Sequence, residues 1–197
     1  MHFQSVGFVP LAEYYSALNT DLSYSDPRMQ RAEERLKNAG VTIRPFRPEA
    51  FSQELSRIYA VSVISFASNF LYTPLDEAAF IAQYEQIKPL IDHRFVLLAE
   101  HEGKPVGYIF AISDRAQAQR GQPVDTIILK TVAVLPSRIW AGLGSVLVDQ
   151  VQRIAHQHGY QRAIHALMHE SNKSRNISGH YAQTIRRYTL FAHSLDS

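Results

Sequence analysis

A glycine pair in the second half of the chain is the sequence feature best suited to bind a ligand. Gly142 and Gly144 lie between the β-branched apolar run Thr126 to Leu135 and an apolar stripe at helical spacing. A strand that enters a helix through Gly-x-Gly exposes several backbone N–H groups at one point, and the helix dipole adds about half a positive charge there. We expect an anion such as a phosphate group to bind at this point. The alternative is that the glycines only permit a tight strand-to-helix turn.

Two common phosphate-binding motifs do not fit the residues around this pair. The stretch Gly142-Leu143-Gly144-Ser145-Val146-Leu147 lacks the third glycine of a dinucleotide fingerprint, and no Gly-Lys-Ser/Thr follows as a P-loop requires. The sequence therefore predicts a phosphate cradle of another kind, and it disfavours a dinucleotide-dependent oxidoreductase.

Candidate proton-transfer groups follow the predicted strand Ala163 to His169. Glu170 and His169 lie where this strand should open toward a substrate, and either side chain could serve as a base at neutral pH. Glu170 could equally be a solvated strand-end residue, and a water relay remains open because no acidic residue occurs between Ile127 and Val134. His165 and His169 could lie on the same face of the strand, but no third potential ligand has a spacing typical of a metal site. We therefore expect no bound metal.

An aromatic stretch between two predicted helices is a candidate substrate-binding segment. Asn69, Phe70 and Tyr72 offer one polar anchor among flat apolar faces. The alternative is that these rings pack over the core.

Composition limits the class of protein. The 197 residues suffice for one well-buried domain, 46% are hydrophobic and 19% are charged, which is typical of a globular chain. No apolar run approaches the roughly 20 residues of a membrane helix, and the first residues do not resemble a secretory signal. With no cysteine and a net charge of +2 spread over scattered Lys and Arg, we expect a cytoplasmic protein with no nucleic-acid or membrane partner.

The elements that must position these residues follow from periodicity and from turn residues. The sequence predicts helices at residues 29–38, 51–66, 76–87 and 142–158, strands at 41–45, 95–100, 106–113, 126–135, 163–169 and 187–192, and one or two helical turns at 176–182. Residues 114–125 are polar and are expected to form a mobile loop. Strands followed by helices, with one hairpin, predict an α/β chain of the α+β type, with a central mixed sheet flanked by helices.

Here the chain resembles a known family. Thr131-Val132-Ala133-Val134-Leu135-Pro136 followed by Gly142-Leu143-Gly144-Ser145-Val146-Leu147-Val148 is similar to the coenzyme motif of the GNAT N-acetyltransferases, in which a strand, a proline and a Gln/Arg-x-x-Gly-x-Gly/Ala loop lead into a helix. The resemblance implies the GNAT fold and acetyl-CoA as cosubstrate, with no metal. It also implies a gap between the strand that carries Val132 and the strand Ala163 to His169, which would admit the pantetheine arm of the coenzyme. The chain departs from the motif at Ile139, which fills the Gln/Arg position, with Arg138 just before it and Trp140 where a small residue is common. The implied coenzyme-binding residues are Val132, Ala133, Val134, Ile139, Trp140, Ala141, Gly142, Leu143, Gly144, Ser145 and Asn172.

The resemblance also implies a reaction. An amine would attack the thioester directly, with Tyr181 as the general acid for the leaving thiolate, Asn172 near it, and Glu170 as a candidate base. Tyr181 could instead cover the sheet, and Asn172 could be a helix N-cap. The expected function is N-acetyl transfer from acetyl-CoA to an amine that the sequence does not identify; the alternative is an inactive GNAT-fold module that binds CoA or a protein.

The first forty residues are expected to form an N-terminal extension to a GNAT domain at residues 41–197. Residues 6–18 resemble the final strand of another GNAT domain, as if the chain were the C-terminal part of a tandem GNAT architecture. Such an orphan strand would pair with an edge of its own sheet or of a partner's. We expect a homodimer on this ground.

Overall fold

The computed structural model describes residues 2–24, 26–170 and 182–194. Within them the chain forms seven strands and six α-helices, in the order α1 (His2–Ser5), β1 (Val9–Asn19), α2 (Pro27–Asn38), β2 (Val41–Pro45), α3 (Phe51–Ser65), α4 (Glu77–Ile87), β3 (Val96–His101), β4 (Lys104–Ser113), α5 (Arg115–Gln119), β5 (Thr126–Val134), α6 (Leu143–Gln157), β6 (Arg162–His169) and β7 (Gln183–Ala192).

The strands form one mixed sheet in the order β2-β3-β4-β5-β6-β1-β7. β5 and β6 are parallel, whereas the other adjacent pairs are antiparallel. The predicted mixed sheet is therefore confirmed. The parallel pair lies near the middle of the sheet, where the connection through α6 crosses over one face.

The N-terminal strand lies inside the sheet, not at an edge. β1 pairs with β6 on one side and with β7 on the other, from Val9↔Ala192 to Leu18↔Gln183. Of the two placements left open for this strand, the structure has the one on its own sheet, and β1 lies between two strands instead of at an edge. Both ladders of β1 are occupied by its own chain, and β2 and β7 are the edge strands of the sheet. The division at residue 41 stays a prediction.

Two hydrophobic cores cover the two faces of the sheet. α6 and α2 pack on one face, where Leu143, Leu147 and Val151 of α6 are fully buried. α3 packs on the other face through Leu55, Ile58 and Val61, which recur at the spacing of three that a helix face requires. Helices on both faces fix the sheet between two apolar layers.

The predicted elements agree with the structure to within a few residues at most ends, with one difference in kind. The polar stretch 114–125 contains α5, whose first turn is capped by the Asp114 carboxylate accepting from Ala116 N–H at 3.1 Å. The Gln117 amide of α5 is buried and bonds Asp125 and Thr126. The local polar pattern hides this helix because its buried contacts are hydrogen bonds. Of the helical turns predicted at 176–182, all but Ala182 lie outside the described residues.

Candidate functional site

The junction between β5 and α6 has the backbone geometry expected of an anion-binding site. Ser137 caps a short 3-10 turn at Arg138–Trp140, its hydroxyl accepting from Ile139 N–H at 3.3 Å. Gly142 then adopts a left-handed φ of +84°, which glycine tolerates best, and α6 begins at Leu143. Gly142 has no side chain with which to cap the helix, and its carbonyl accepts the N–H of Val146 at 3.0 Å. The first amides of α6 therefore start the helix without a capping side chain from its N-cap residue.

β5 and β6 separate beside this junction. Their parallel ladder runs from Thr126↔Arg162 to Leu129↔His165 and ends there. β5 continues along β4 as far as Val134↔Gly107, and β6 continues along β1 as far as His169↔Tyr14. Each strand thus keeps its outer neighbour while the two inner edges face each other unpaired, in the place where the resemblance to GNAT proteins expects a gap.

An irregularity in β6 accompanies the separation. Leu167 has a φ of +49°, and the register with β1 shifts between Tyr15↔Met168 and Ala17↔His165. The buried Ser16 hydroxyl accepts the Leu167 N–H at 3.4 Å. A bulge of this kind bends the strand that carries it, which is consistent with β6 turning away from β5.

The side chains at the end of β6 form an aromatic group. The His169 ring lies 5.1 Å from the Tyr14 ring of β1 and 5.5 Å from the Phe70 ring, measured between centroids. Phe70 belongs to the turn after α3, where Tyr72 N–H donates to the Asn69 carbonyl at 3.1 Å. The three residues predicted to bind substrate therefore form one turn, and the structure brings Phe70 of that turn to His169.

Glu170 follows His169 and is exposed, and its N–H donates to the Glu13 carbonyl at 3.0 Å. The predicted residues Asn172 and Tyr181 lie outside the described residues, so their positions stay predictions. Among the residues that the structure describes, no group of three His, Asp or Glu side chains is placed to hold a metal ion.

The predicted coenzyme residues occupy both sides of the β5–α6 junction. Val132 and Val134 pack toward the core of the α6 face, and Ala133 toward that of the α3 face. Ile139 is 62% exposed, and the Trp140 ring packs 5.1 Å from His101. The turn and the start of α6 are formed by the remaining predicted residues, which are Ala141, Gly142, Leu143, Gly144 and Ser145.

Two residues at this site were not predicted from the sequence. Tyr14 reaches His169 because β1 lies beside β6, and Arg35 of α2 donates a hydrogen bond to the Ala141 carbonyl, next to Gly142. Neither side chain is near the glycine turn in sequence. The only signal for Tyr14 was the likeness of residues 6–18 to a family strand, and no signal in the sequence marked Arg35.

The comparisons with known proteins decide the family. The model of the acetyltransferase (GNAT) family matches residues 55–177, which is more than half of the chain. The chain belongs to the GNAT family. No curated protein is similar enough in sequence to count as a match.

Solved GNAT structures share the fold at low sequence identity. The GCN5-related glucosamine N-acetyltransferase region of a fungal multi-domain β-N-acetylglucosaminidase is 14% identical, with a TM-score of 0.69 over 96% of this chain and 22% of that one. A GCN5-related N-acetyltransferase from Sphaerobacter thermophilus is 16% identical, with a TM-score of 0.66 over 96% of this chain and 54% of that one. The chain thus spans about half or less of the length of these two relatives.

A GNAT acetyltransferase from Brucella melitensis, in complex with acetyl-CoA, is 21% identical over 62% of this chain and 73% of that one, with a TM-score of 0.48. At such identities, the two structures with TM-scores of 0.69 and 0.66 establish the fold of this GNAT chain and nothing about its substrate.

Proposed function

We propose that this GNAT chain is an N-acetyltransferase that uses acetyl-CoA. The observation that carries the proposal is the uncapped Gly142 turn at the start of α6, directly beside the gap between β5 and β6. Backbone amides at a helix start favour a diphosphate, and an unpaired strand edge can pair with the amides of a pantetheine arm. Ile139 to Ser145 would hold the diphosphate, and the main chain of Val132 to Val134 would align the arm.

In the proposed reaction the acceptor nitrogen attacks the acetyl carbonyl carbon. The new C–N bond forms, the C–S bond breaks, the amine loses a proton to a base, and the departing CoA thiolate gains one. Positioning the amine about 3 to 3.5 Å from the thioester carbon accounts for much of such a rate enhancement. The reaction needs no covalent enzyme intermediate, so the lack of cysteine in the chain is compatible with it.

His169 and Glu170 are the described candidates for the base. His169 is half-buried between Tyr14 and Phe70, whereas Glu170 is exposed to solvent. Imidazole is the side chain best suited to proton transfer near neutral pH, and the rings around His169 would exclude water from an acceptor. We therefore place the acceptor amine against Phe70, Asn69 and Tyr72, with His169 as the base. Tyr181 as general acid, with Asn172 near it, completes the proposal from the family resemblance.

A second candidate is a GNAT-fold module that binds CoA without turnover. Ile139 at the usual Gln/Arg position and the lack of an acidic residue in β5 favour it. The cytoplasmic location stays a prediction from the sequence, and the homodimer stays a prediction that the placement of β1 inside its own sheet no longer supports. Within the described residues, no helix has both the length and the apolar character to cross a membrane.

Calorimetric titration with acetyl-CoA and with NAD tests the ligand class. Acetyl-CoA should bind and NAD should not. Release of free CoA thiol from acetyl-CoA, measured with and without a panel of small amines, amino acids and peptides, then tests turnover. Release that depends on one acceptor class supports the enzyme, and binding with no acceptor-dependent release supports the non-catalytic module.

A further inference from the structure

A cation from a different element reaches the proposed coenzyme seat. Arg35, in the last turn of α2, donates from Nη2 to the Ala141 carbonyl. A Cβ placed on Gly142 would lie 3.4 Å from the same nitrogen, so the guanidinium borders the turn that would hold the diphosphate. Gly142 and Arg35 are both exposed, so the guanidinium remains open to a ligand from solvent.

The packing of α2 along α6 holds Arg35 in this position. Glu33 accepts from Gln150 at 2.8 Å and from Arg153 at 2.9 Å, and Leu36 is buried in the core below. Through these contacts the two helices pack antiparallel, so the last turn of α2 lies beside the first turn of α6. The partial negative charge of the carbonyls at the C-terminus of α2 would repel an anion at this point. The positive charges of Arg35 and Lys37 in that turn offset this repulsion.

The loop itself lacks a side chain that could supply this charge at the motif position. Ile139 fills the Gln/Arg position of the motif and has no hydrogen-bonding side chain. The Ser137 hydroxyl already accepts the Ile139 N–H. Arg35 therefore adds a cation from α2 beside a loop whose motif position is uncharged and whose exposed Arg138 stands one residue before it.

We propose that Arg35 binds the diphosphate of the coenzyme and thereby replaces the missing motif side chain. The inference rests on the proposed function. A guanidinium carries five N–H donors in a planar fork that matches phosphate oxygens, and the Ala141 carbonyl uses only one donor nitrogen. Arg35 would thus select thioesters that carry a diphosphate over thioesters of pantetheine alone.

Titration calorimetry with three probes tests the assignment: CoA, 3′-dephospho-CoA and pantetheine. Arg35→Ala should weaken binding of CoA and of 3′-dephospho-CoA by about tenfold each, because both carry the diphosphate, and should leave pantetheine binding unchanged. Arg31→Ala is the matched control, since it removes an exposed arginine one turn earlier on the same helix and should change each affinity less than about twofold.

Two further variants separate charge from packing. Arg35→Met keeps an unbranched stem of similar length without charge, so it should show the same tenfold loss of CoA and 3′-dephospho-CoA affinity by itself. If Arg35→Ala unfolds, this variant still tests the role of the charge. Adding Ile139→Arg to Arg35→Ala should recover at least half of the lost binding free energy, because it restores a cation at the motif position.

The outcomes distinguish this inference from the proposed function. Wild-type protein that binds none of the coenzyme probes overturns both. Wild-type binding that Arg35→Met leaves unchanged overturns the role of Arg35 alone. A loss seen with CoA but not with 3′-dephospho-CoA also overturns it, because Arg35 would then contact the 3′-phosphate.

Discussion

The two ends of the β5–β6 pair differ in how they are held. At the start of both strands, Arg162 Nη2 lies 2.6 and 2.8 Å from the carboxylate oxygens of Asp125, and Gln117 donates to the same carboxylate at 2.8 Å. The buried Thr126 hydroxyl also donates to it, at 2.9 Å. At the other end the ladder stops after Leu129↔His165, and the strands part beside Gly142.

This contrast shows how one pair of strands can be both stable and open. Four ladder positions and a side-chain hydrogen-bond network fix the closed end. At the open end, β5 stays paired with β4 and β6 stays paired with β1. The gap therefore loses only the hydrogen bonds that would join β5 to β6. A ligand that pairs with both edges would recover those bonds. Substitutions at the open end should therefore change binding, and substitutions at the closed end should change stability.

The largest expected effect is at the open end, with Gly142→Asp. Aspartate tolerates the left-handed φ of +84° better than most residues, but it places a negative charge where the diphosphate would lie. We expect acetyl-CoA affinity to fall about 100-fold, or roughly 2.8 kcal/mol, by calorimetry.

Gly142→Asn is the control because asparagine has the same shape and a similar tolerance of left-handed backbone without the charge. Both variants should melt at similar temperatures. An equal loss of affinity in the two would mean that shape and not charge is responsible, and wild-type affinity in Gly142→Asp would place the coenzyme elsewhere.

The second largest effect is expected on the pH dependence of stability, at His165, where the strands separate. Burial lowers the pKa of His165 to about 4, whereas the pKa of an unfolded histidine is about 6.5. Below about pH 6.5 the unfolded chain therefore binds a proton that the folded chain does not. The free energy of unfolding should be highest above pH 6.5 and should fall by about 2 to 3 kcal/mol as the pH drops to about 4.

Urea unfolding at several pH values measures this slope. His165→Gln removes the titrating group, so its free energy of unfolding should depend less on pH across this window than that of the wild type. His156→Gln, on the exposed face of α6, should keep the wild-type slope. If the two variants have the same slope, desolvation of His165 does not control acid sensitivity at this point.

The features that were predicted from the sequence depend on local pattern. The turn at Gly142 and the helix α3 follow from glycine placement and apolar spacing, and both are present in the structure. The gap between β5 and β6 and the identity of the coenzyme motif came from the family resemblance, because no local signal states where two strands stop pairing.

What the sequence did not reveal depends on contacts between distant segments. The position of β1 between β6 and β7 brings Tyr14 to His169 across more than 150 residues of sequence, and the packing of α2 on α6 brings Arg35 to Ala141. α5 was missed for the same reason, since the buried role of Gln117 depends on the later residues Asp125 and Thr126. Periodicity reports which face of an element is buried and not which element covers it.

The smallest expected effect is at the closed end, with Asp125→Asn. Hydrogen bonds from Arg162 and then Gln117 lower the pKa of Asp125 to about 2. The pKa of an unfolded aspartate is about 3.9, so the stabilisation is present above that pH and is lost as the pH falls from about 4 to about 2. Because Asp125 and Arg162 are partly exposed, we expect the asparagine variant to lose only about 1 kcal/mol at pH 7, by urea unfolding.

A double-mutant cycle with Arg162→Gln separates the ion pair from the other bonds of Asp125, since the loss in the double variant should be less than the sum of the two single losses. Acetyl-CoA affinity should stay within about twofold of wild type in all three variants, because the outer strands β4 and β1, and not the closed end, hold the gap. A fivefold or greater loss of affinity would show that the two ends of the β5–β6 pair are mechanically linked, and that the Asp125–Arg162 pair sets the width of the opening.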